Sequence, residues 1–129
     1  MKAVMTHIAI YTPDLERSKA FYQQYFGARS NGKYRNESGF SSYFLTFASG
    51  ARLEIMSHTE LVDREIADKT KGISHFAFSV GGQDEVVALT GRITGDGYAL
   101  LSPPRKTGDG YFESCVADPD GNRIEITAD

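Results

Sequence analysis

A short phrase occurs twice in this chain, and any fold it adopts has to accommodate both copies. Residues His7, Ile8, Ala9 and Ile10 read HIAI, and His75, Phe76, Ala77 and Phe78 read HFAF. Each copy is followed by a glycine turn with a shared ending: Gly50, Ala51, Arg52, Leu53, Glu54, Ile55 in the first, Gly121, Asn122, Arg123, Ile124, Glu125, Ile126 in the second. The His-to-Glu separations nearly match, at 47 residues (from 7 to 54) and 50 residues (from 75 to 125). Two similar modules therefore each supply one imidazole and one carboxylate.

Strand geometry says where those groups point, because side chains alternate faces with a period of two. His7, Ala9 and Tyr11 share one face, opposite Ile8 and Ile10; His75, Ala77 and Ser79 share a face, opposite Phe76, Phe78 and Val80. Arg52 and Glu54 oppose Leu53 and Ile55, as Arg123 and Glu125 oppose Ile124 and Ile126. Each module thus has an apolar face for packing and a second face carrying His, Glu and small residues.

The 129 residues suit one domain, and two half-modules of this size are each marginal alone. Module one is expected over about 1–57, a polar connection over about 58–72 and module two over about 73–129. Each reads strand, helix, then antiparallel strands, an α+β arrangement. The first strand is expected from Val4 to Tyr11 and the first helix from Leu15 to Phe26, capped by Asp14 and ended by Gly27. Strands follow near Tyr43 to Phe47 and Arg52 to Met56, and the connection is expected to hold a short helix around Leu61 to Ala67. Module two is read as a strand from Ile73 to Val80, a helix from Gln83 to Ile93 despite Gly91, and strands at Ala99 to Ser102, Gly110 to Ala117 and Arg123 to Thr127. ADPDG, from Ala117 to Gly121, carries strong turn chemistry.

A net charge of −3 with interspersed signs and no basic stripe argues against nucleic acid. No apolar run reaches membrane-spanning length, and the first residues lack the pattern of a secretory leader. Cys115 is the single cysteine, which excludes an internal disulfide and a thiolate metal site; it is read as a buried strand residue. A cytoplasmic location is the simplest expectation.

Two neutral imidazoles and two carboxylates suit a borderline divalent ion such as zinc, nickel or cobalt better than calcium or magnesium, which prefer oxygen shells. On an octahedral ion, four protein groups leave two positions for water or a chelating substrate. Taken singly, a strand His or Glu is ordinarily just solvated. Recurrence in matched register is what singles these four out.

With those residues in hand, the chain resembles the vicinal oxygen chelate superfamily, the glyoxalase and bleomycin-resistance proteins with paired βαβββ modules. The resemblance runs from HIAI through the helix ending YFG to DPDGNRIEI. It implies a metal held by His7, Glu54, His75 and Glu125, a His, Glu, His, Glu set similar to that of glyoxalase I. Ring-cleaving dioxygenases and fosfomycin thiol transferases use His, His, Glu, so Glu54 favours the isomerase branch. The resemblance also implies Glu125 as general base, Glu54 as ligand and second proton carrier, and a homodimer with a small-molecule substrate. Glutathione-using members carry an Arg and an Asn where this chain has Tyr11 and His58, so glutathione recognition is not expected. Tyr11 and His58, with Arg105 and Lys106 in SPPRKTGDG, are the candidate substrate contacts; the last two are read as an anion clamp or as decoration of a loop. The rival readings are a metal-free protein of the bleomycin-resistance type that sequesters an aromatic or cationic ligand, and a thiol transferase or dioxygenase on the same fold.

Overall fold

A computed structural model describes residues 1–129, which divide into two compact units, 1–64 and 65–129. The first unit contains β1 (Ile8–Tyr11), α1 (Leu15–Phe26), β2 (Arg29–Ser30), β3 (Tyr34–Arg35), β4 (Phe40–Thr46) and β5 (Arg52–His58). The second contains β6 (His75–Ser79), α2 (Gln83–Gly95), β7 (Leu100–Lys106), β8 (Phe112–Ala117) and β9 (Arg123–Thr127).

In both units the first strand lies parallel to the last. The first sheet runs β1-β5-β4-β2, with β3 also paired to β4, and the second runs β6-β9-β8-β7. β1 pairs with β5 so that Ala9 faces Glu54, and β6 pairs with β9 so that Ala77 faces Glu125. This pairing carries each His-bearing segment to its Glu strand across nearly fifty residues of chain. Such a parallel return needs a crossover, which the helix provides.

α1 begins where the Asp14 carboxylate accepts a hydrogen bond from the Arg17 N–H at 3.0 Å, satisfying an open donor of the first turn. It ends at Gly27, whose φ of 65° is the left-handed conformation of a helix stop. Leu15, Phe21, Tyr22 and Tyr25 on its inner face are buried, as are Leu45, Leu53 and Ile55 of the sheet. In the second unit Val86 and Ile93 of α2 are fully buried, with Val116, Ile124 and Ile126 of the sheet. Of the aromatic residues of α1, Phe21, Tyr22 and Tyr25 are core and Phe26 is half-buried. In each unit the helix covers one sheet face, and the His and Glu residues belong to the other.

Several sequence expectations are corrected. β1 starts at Ile8 rather than Val4, because its pairing with β5 begins at Ile8 opposite Leu53; Val4 and Met5 are left exposed. β6 likewise starts at His75 rather than Ile73. The stretch from Leu61 to Ala67 forms no helix. Its Val62 is exposed, so no apolar face is buried to offset the cost of nucleating so short a helix. α2 runs to Gly95, past the expected end at Ile93.

Arg105 and Lys106 lie in β7 rather than in a loop, paired with Glu113 and Phe112. The strand expected at Ala99 to Ser102 runs on through Pro103 and Pro104, which β7 tolerates as an edge strand, where a missing N–H removes no outer partner. Register shifts between Leu100 and Ser102 and between Ser102 and Arg105 absorb the irregularity.

Candidate metal centre

Within each unit the His and Glu foreseen from the repeat lie side by side. His7 Nε2 lies 3.5 Å from Glu54 Oε1 in the first unit, and His75 Nε2 lies 3.1 Å from Glu125 Oε2 in the second. The carboxylates are the more enclosed partners, with side chains 15% and 27% exposed against 35% and 38% for the imidazoles. Pairs this open to water contribute about 1 kcal/mol or less to stability. Fold stability alone gives little reason for building the same pair twice.

Donor chemistry and spacing both fit a divalent ion. Two ligands each about 2.1 Å from a common ion stand roughly 3.0 Å apart at a right angle and roughly 3.4 Å apart at a tetrahedral angle. The 3.1 Å separation is in that range and the 3.5 Å separation lies just above its upper end. Within neither unit do three or more His, Cys, Asp or Glu side chains form a metal-holding group; each unit holds a single His–Glu pair.

Around these pairs the faces differ. In the first unit Phe44 stands directly across from Glu54, its ring edge-to-face with His7 at 5.0 Å between centroids, while the Arg52 guanidinium carbon lies 4.2 Å from its centroid. Farther along the same face Tyr11, Met56 and Ser42 are in register, and Tyr34 stands opposite Ser42. Tyr34 also lies 6.1 Å from Phe40, ring to ring. Tyr11 and Tyr34 are exposed, so this face presents an aromatic row beside its pair.

In the second unit the place of Phe44 is taken by Cys115, directly across from Glu125. Burial pushes its thiol up from the ordinary value, which removes thiolate character. Glu113, two residues earlier on that face, is also pushed up, first by burial and then by a hydrogen bond to Glu125; the Arg105 charge opposes this. Arg105 is thus brought within reach of the Glu125 neighbourhood, whereas Lys106 is exposed opposite Phe112. His58 ends β5 opposite Phe40, where its Nδ1 accepts from the Glu60 N–H at 3.0 Å.

Three participants escaped the sequence reading. Glu113 was detectable from its spacing of two before Cys115. Thr6 and Ser74 immediately precede the two His residues, and their hydroxyls reach the imidazole Nδ1 atoms at 2.8 and 2.9 Å. The repeat extends one residue upstream of HIAI and HFAF, and that was the available signal.

These features define a class. The sequence profile of the Glyoxalase/Bleomycin resistance protein/Dioxygenase superfamily matches residues 4–126, and the chain belongs to that superfamily. It is 34% identical over 82 residues to the uncharacterized protein YwkD of Bacillus subtilis (strain 168), an alignment spanning 63% of this chain and 64% of that protein, or less than two thirds of the relative's length.

Among solved structures, a glyoxylase/bleomycin resistance protein/dioxygenase domain from Frankia sp. EAN1pec superposes with a TM-score of 0.83 at 17% identity, covering 99% of this chain and 93% of that one. Glyoxalase I from Zea mays superposes with a TM-score of 0.78 at 24% identity, covering 97% of this chain but 45% of the maize chain. The fosfomycin resistance protein FosX from Listeria monocytogenes gives 0.76 at 25% identity, covering 99% and 94%. The mixed α+β architecture is that of the glyoxalase-like fold. No helix is long and apolar enough to cross a membrane.

Proposed function

We propose that the chain is a metal-dependent lyase or isomerase of glyoxalase I type, acting on a small substrate that presents two adjacent oxygens. The observation that carries this reading is the duplicated His–Glu pair, with donor separations of 3.5 and 3.1 Å. His7, Glu54, His75 and Glu125 are the residues that would hold the ion, zinc, nickel or cobalt. When bound, such an ion polarises the two substrate oxygens and lowers the cost of the enediolate formed from them.

The chain's own groups manage the proton. Glu125 takes it from the hydroxyl-bearing carbon next to the carbonyl; the C–H electron pair becomes the carbon–carbon double bond of the enediolate as the carbonyl π pair moves onto its oxygen. The proton returns to the former carbonyl carbon while the first carbon's hydroxyl passes its proton to the other oxygen and becomes the new carbonyl. Glu54 stands as the second carrier for that return. Either carboxylate can serve once it is within hydrogen-bond reach of the proton. His7 and His75 stay ligands throughout. Arg105, in register with Glu113, would attract an anionic substituent, with exposed Lys106 next to it.

The aromatic row on the first sheet supports a substrate carrying an apolar or aryl substituent, with Tyr11 and His58 as contacts rather than a grip for a tripeptide thiol. We therefore expect poor turnover of the methylglyoxal–glutathione adduct relative to another thiol adduct or a thiol-free aryl 2-oxoaldehyde, with the metal held constant. A kcat/KM for the glutathione adduct in the efficient range of about 10⁴ to 10⁸ M⁻¹s⁻¹ contradicts that expectation. The same aromatic row favours one other reading, metal-free sequestration of an aromatic ligand. Tight aryl binding without added metal, and no turnover of any panel member with it, selects that reading.

A further inference from the structure

The two imidazoles are held from behind in the same way. Thr6 Oγ1 lies 2.8 Å from His7 Nδ1, and Ser74 Oγ lies 2.9 Å from His75 Nδ1, while each Nε2 faces a glutamate. Two separate units repeat one arrangement, hydroxyl to Nδ1 and Nε2 to carboxylate, with different hydroxyl residues.

A neutral imidazole carries its proton on one nitrogen and offers a lone pair on the other. Without metal, an Nε2 lone pair aimed at a carboxylate is repelled. The favourable form therefore has Nε2–H donating to Glu54 or Glu125, and Nδ1 must accept. With metal, Nε2 has to present its lone pair, so Nδ1 carries the proton and must donate. A backbone carbonyl can only accept and would oppose the first form. A hydroxyl donates in one form and accepts in the other.

We propose that Thr6 and Ser74 are positioning residues whose hydroxyls hold the two imidazoles in both tautomers, allowing His7 and His75 to exchange a glutamate partner for a divalent ion without turning the ring. The proposal rests on the metal reading given above. In the exchange Nε2 releases its proton to water and Nδ1 takes one from water, so the ring stays neutral and protons balance. The hydroxyl reverses its role by rotating about its C–O bond. Groups supporting the far nitrogen of a metal-binding His typically change affinity about 10- to 100-fold when removed.

The test is imidazole ¹⁵N NMR at about pH 8, where ordinary imidazoles are neutral, together with zinc affinity by chelator competition. The proteins are wild type, the double variant Thr6→Val with Ser74→Ala, and the conservative double variant Thr6→Ser with Ser74→Thr. Metal-free wild type should show Nε2 protonated at His7 and His75, and zinc should reverse this to Nδ1. The hydroxyl-free variant should lose the uniform metal-free pattern and bind zinc about tenfold or more weakly, while the conservative variant should match wild type.

An Nδ1-protonated pattern in metal-free wild type overturns the proposal, as does a hydroxyl-free variant with unchanged ¹⁵N pattern and zinc affinity. Wild type that binds no zinc refutes the metal reading separately. The metal-free spectra then decide the hydroxyl role: dependence on the hydroxyls keeps it, and independence overturns it.

Discussion

Tyr43 is buried on the helix-facing side of β4, yet its hydroxyl reaches both carboxylate oxygens of Glu16, at 2.6 and 2.9 Å. The Lys19 and Lys33 ammonium groups lie 4.3 and 5.6 Å from its ring centroid. Its phenol is held above the ordinary 10.0, chiefly by the bond to Glu16 and then by burial, with Lys19 opposing. The folded value exceeds the unfolded one, so the bonded neutral phenol contributes stability that is complete below pH 10 and lost as pH rises through the folded value. Tyr43→Phe should be less stable by about 1 kcal/mol near neutrality, and the gap should close in the alkaline range. Denaturant melts across pH, with tyrosinate absorbance, measure this; a constant gap contradicts it. The bond joins residues 27 apart in sequence, which no local pattern announces. His7 and Glu54 were legible because strand alternation and the repeat gave both face and partner. Thr6 and Ser74 were not, because a hydroxyl beside a His matters only once the ring orientation is known.

At the scale of elements, what the sequence made visible follows from whether an element's signal was local. α1 carried its own start and stop, Asp14 and Gly27, and an inward stripe containing Phe21, Tyr22 and Tyr25, so both ends were readable. β9 was readable because an ADPDG turn precedes a clean alternation of Arg123, Ile124, Glu125 and Ile126. β7 was misread, since its extent depends on pairing with β8 rather than on its own Pro-rich composition. The short strands β2 and β3 were invisible for the same reason: two residues each, defined only by β4. The expected helix near Leu61 rested on composition without a face to bury, and tertiary contact never supplied one.

Each unit leaves its first strand at a sheet edge, β1 in one and β6 in the other, and exposed edges are ordinarily paired or covered. Together with the resemblance to a superfamily of small paired chains, this supports a C2 homodimer as our proposal for the whole molecule. Mixing His7→Ala chains with Glu125→Ala chains tests how its centres are composed. Where His7 and Glu54 come from one chain and His75 and Glu125 from its partner, one site of each heterodimer keeps four intact ligands and activity returns. Where each centre uses a single chain, both sites stay damaged; sedimentation as a monomer at micromolar concentration contradicts the dimer itself. The central claim is that the duplicated His–Glu pairs hold a metal ion. Equilibrium dialysis of zinc or nickel against wild type, His75→Ala and Glu125→Ala measures it most directly. The account predicts stoichiometric binding by wild type and a loss of about tenfold or more in affinity in each variant; unchanged stoichiometric binding in both variants would contradict it.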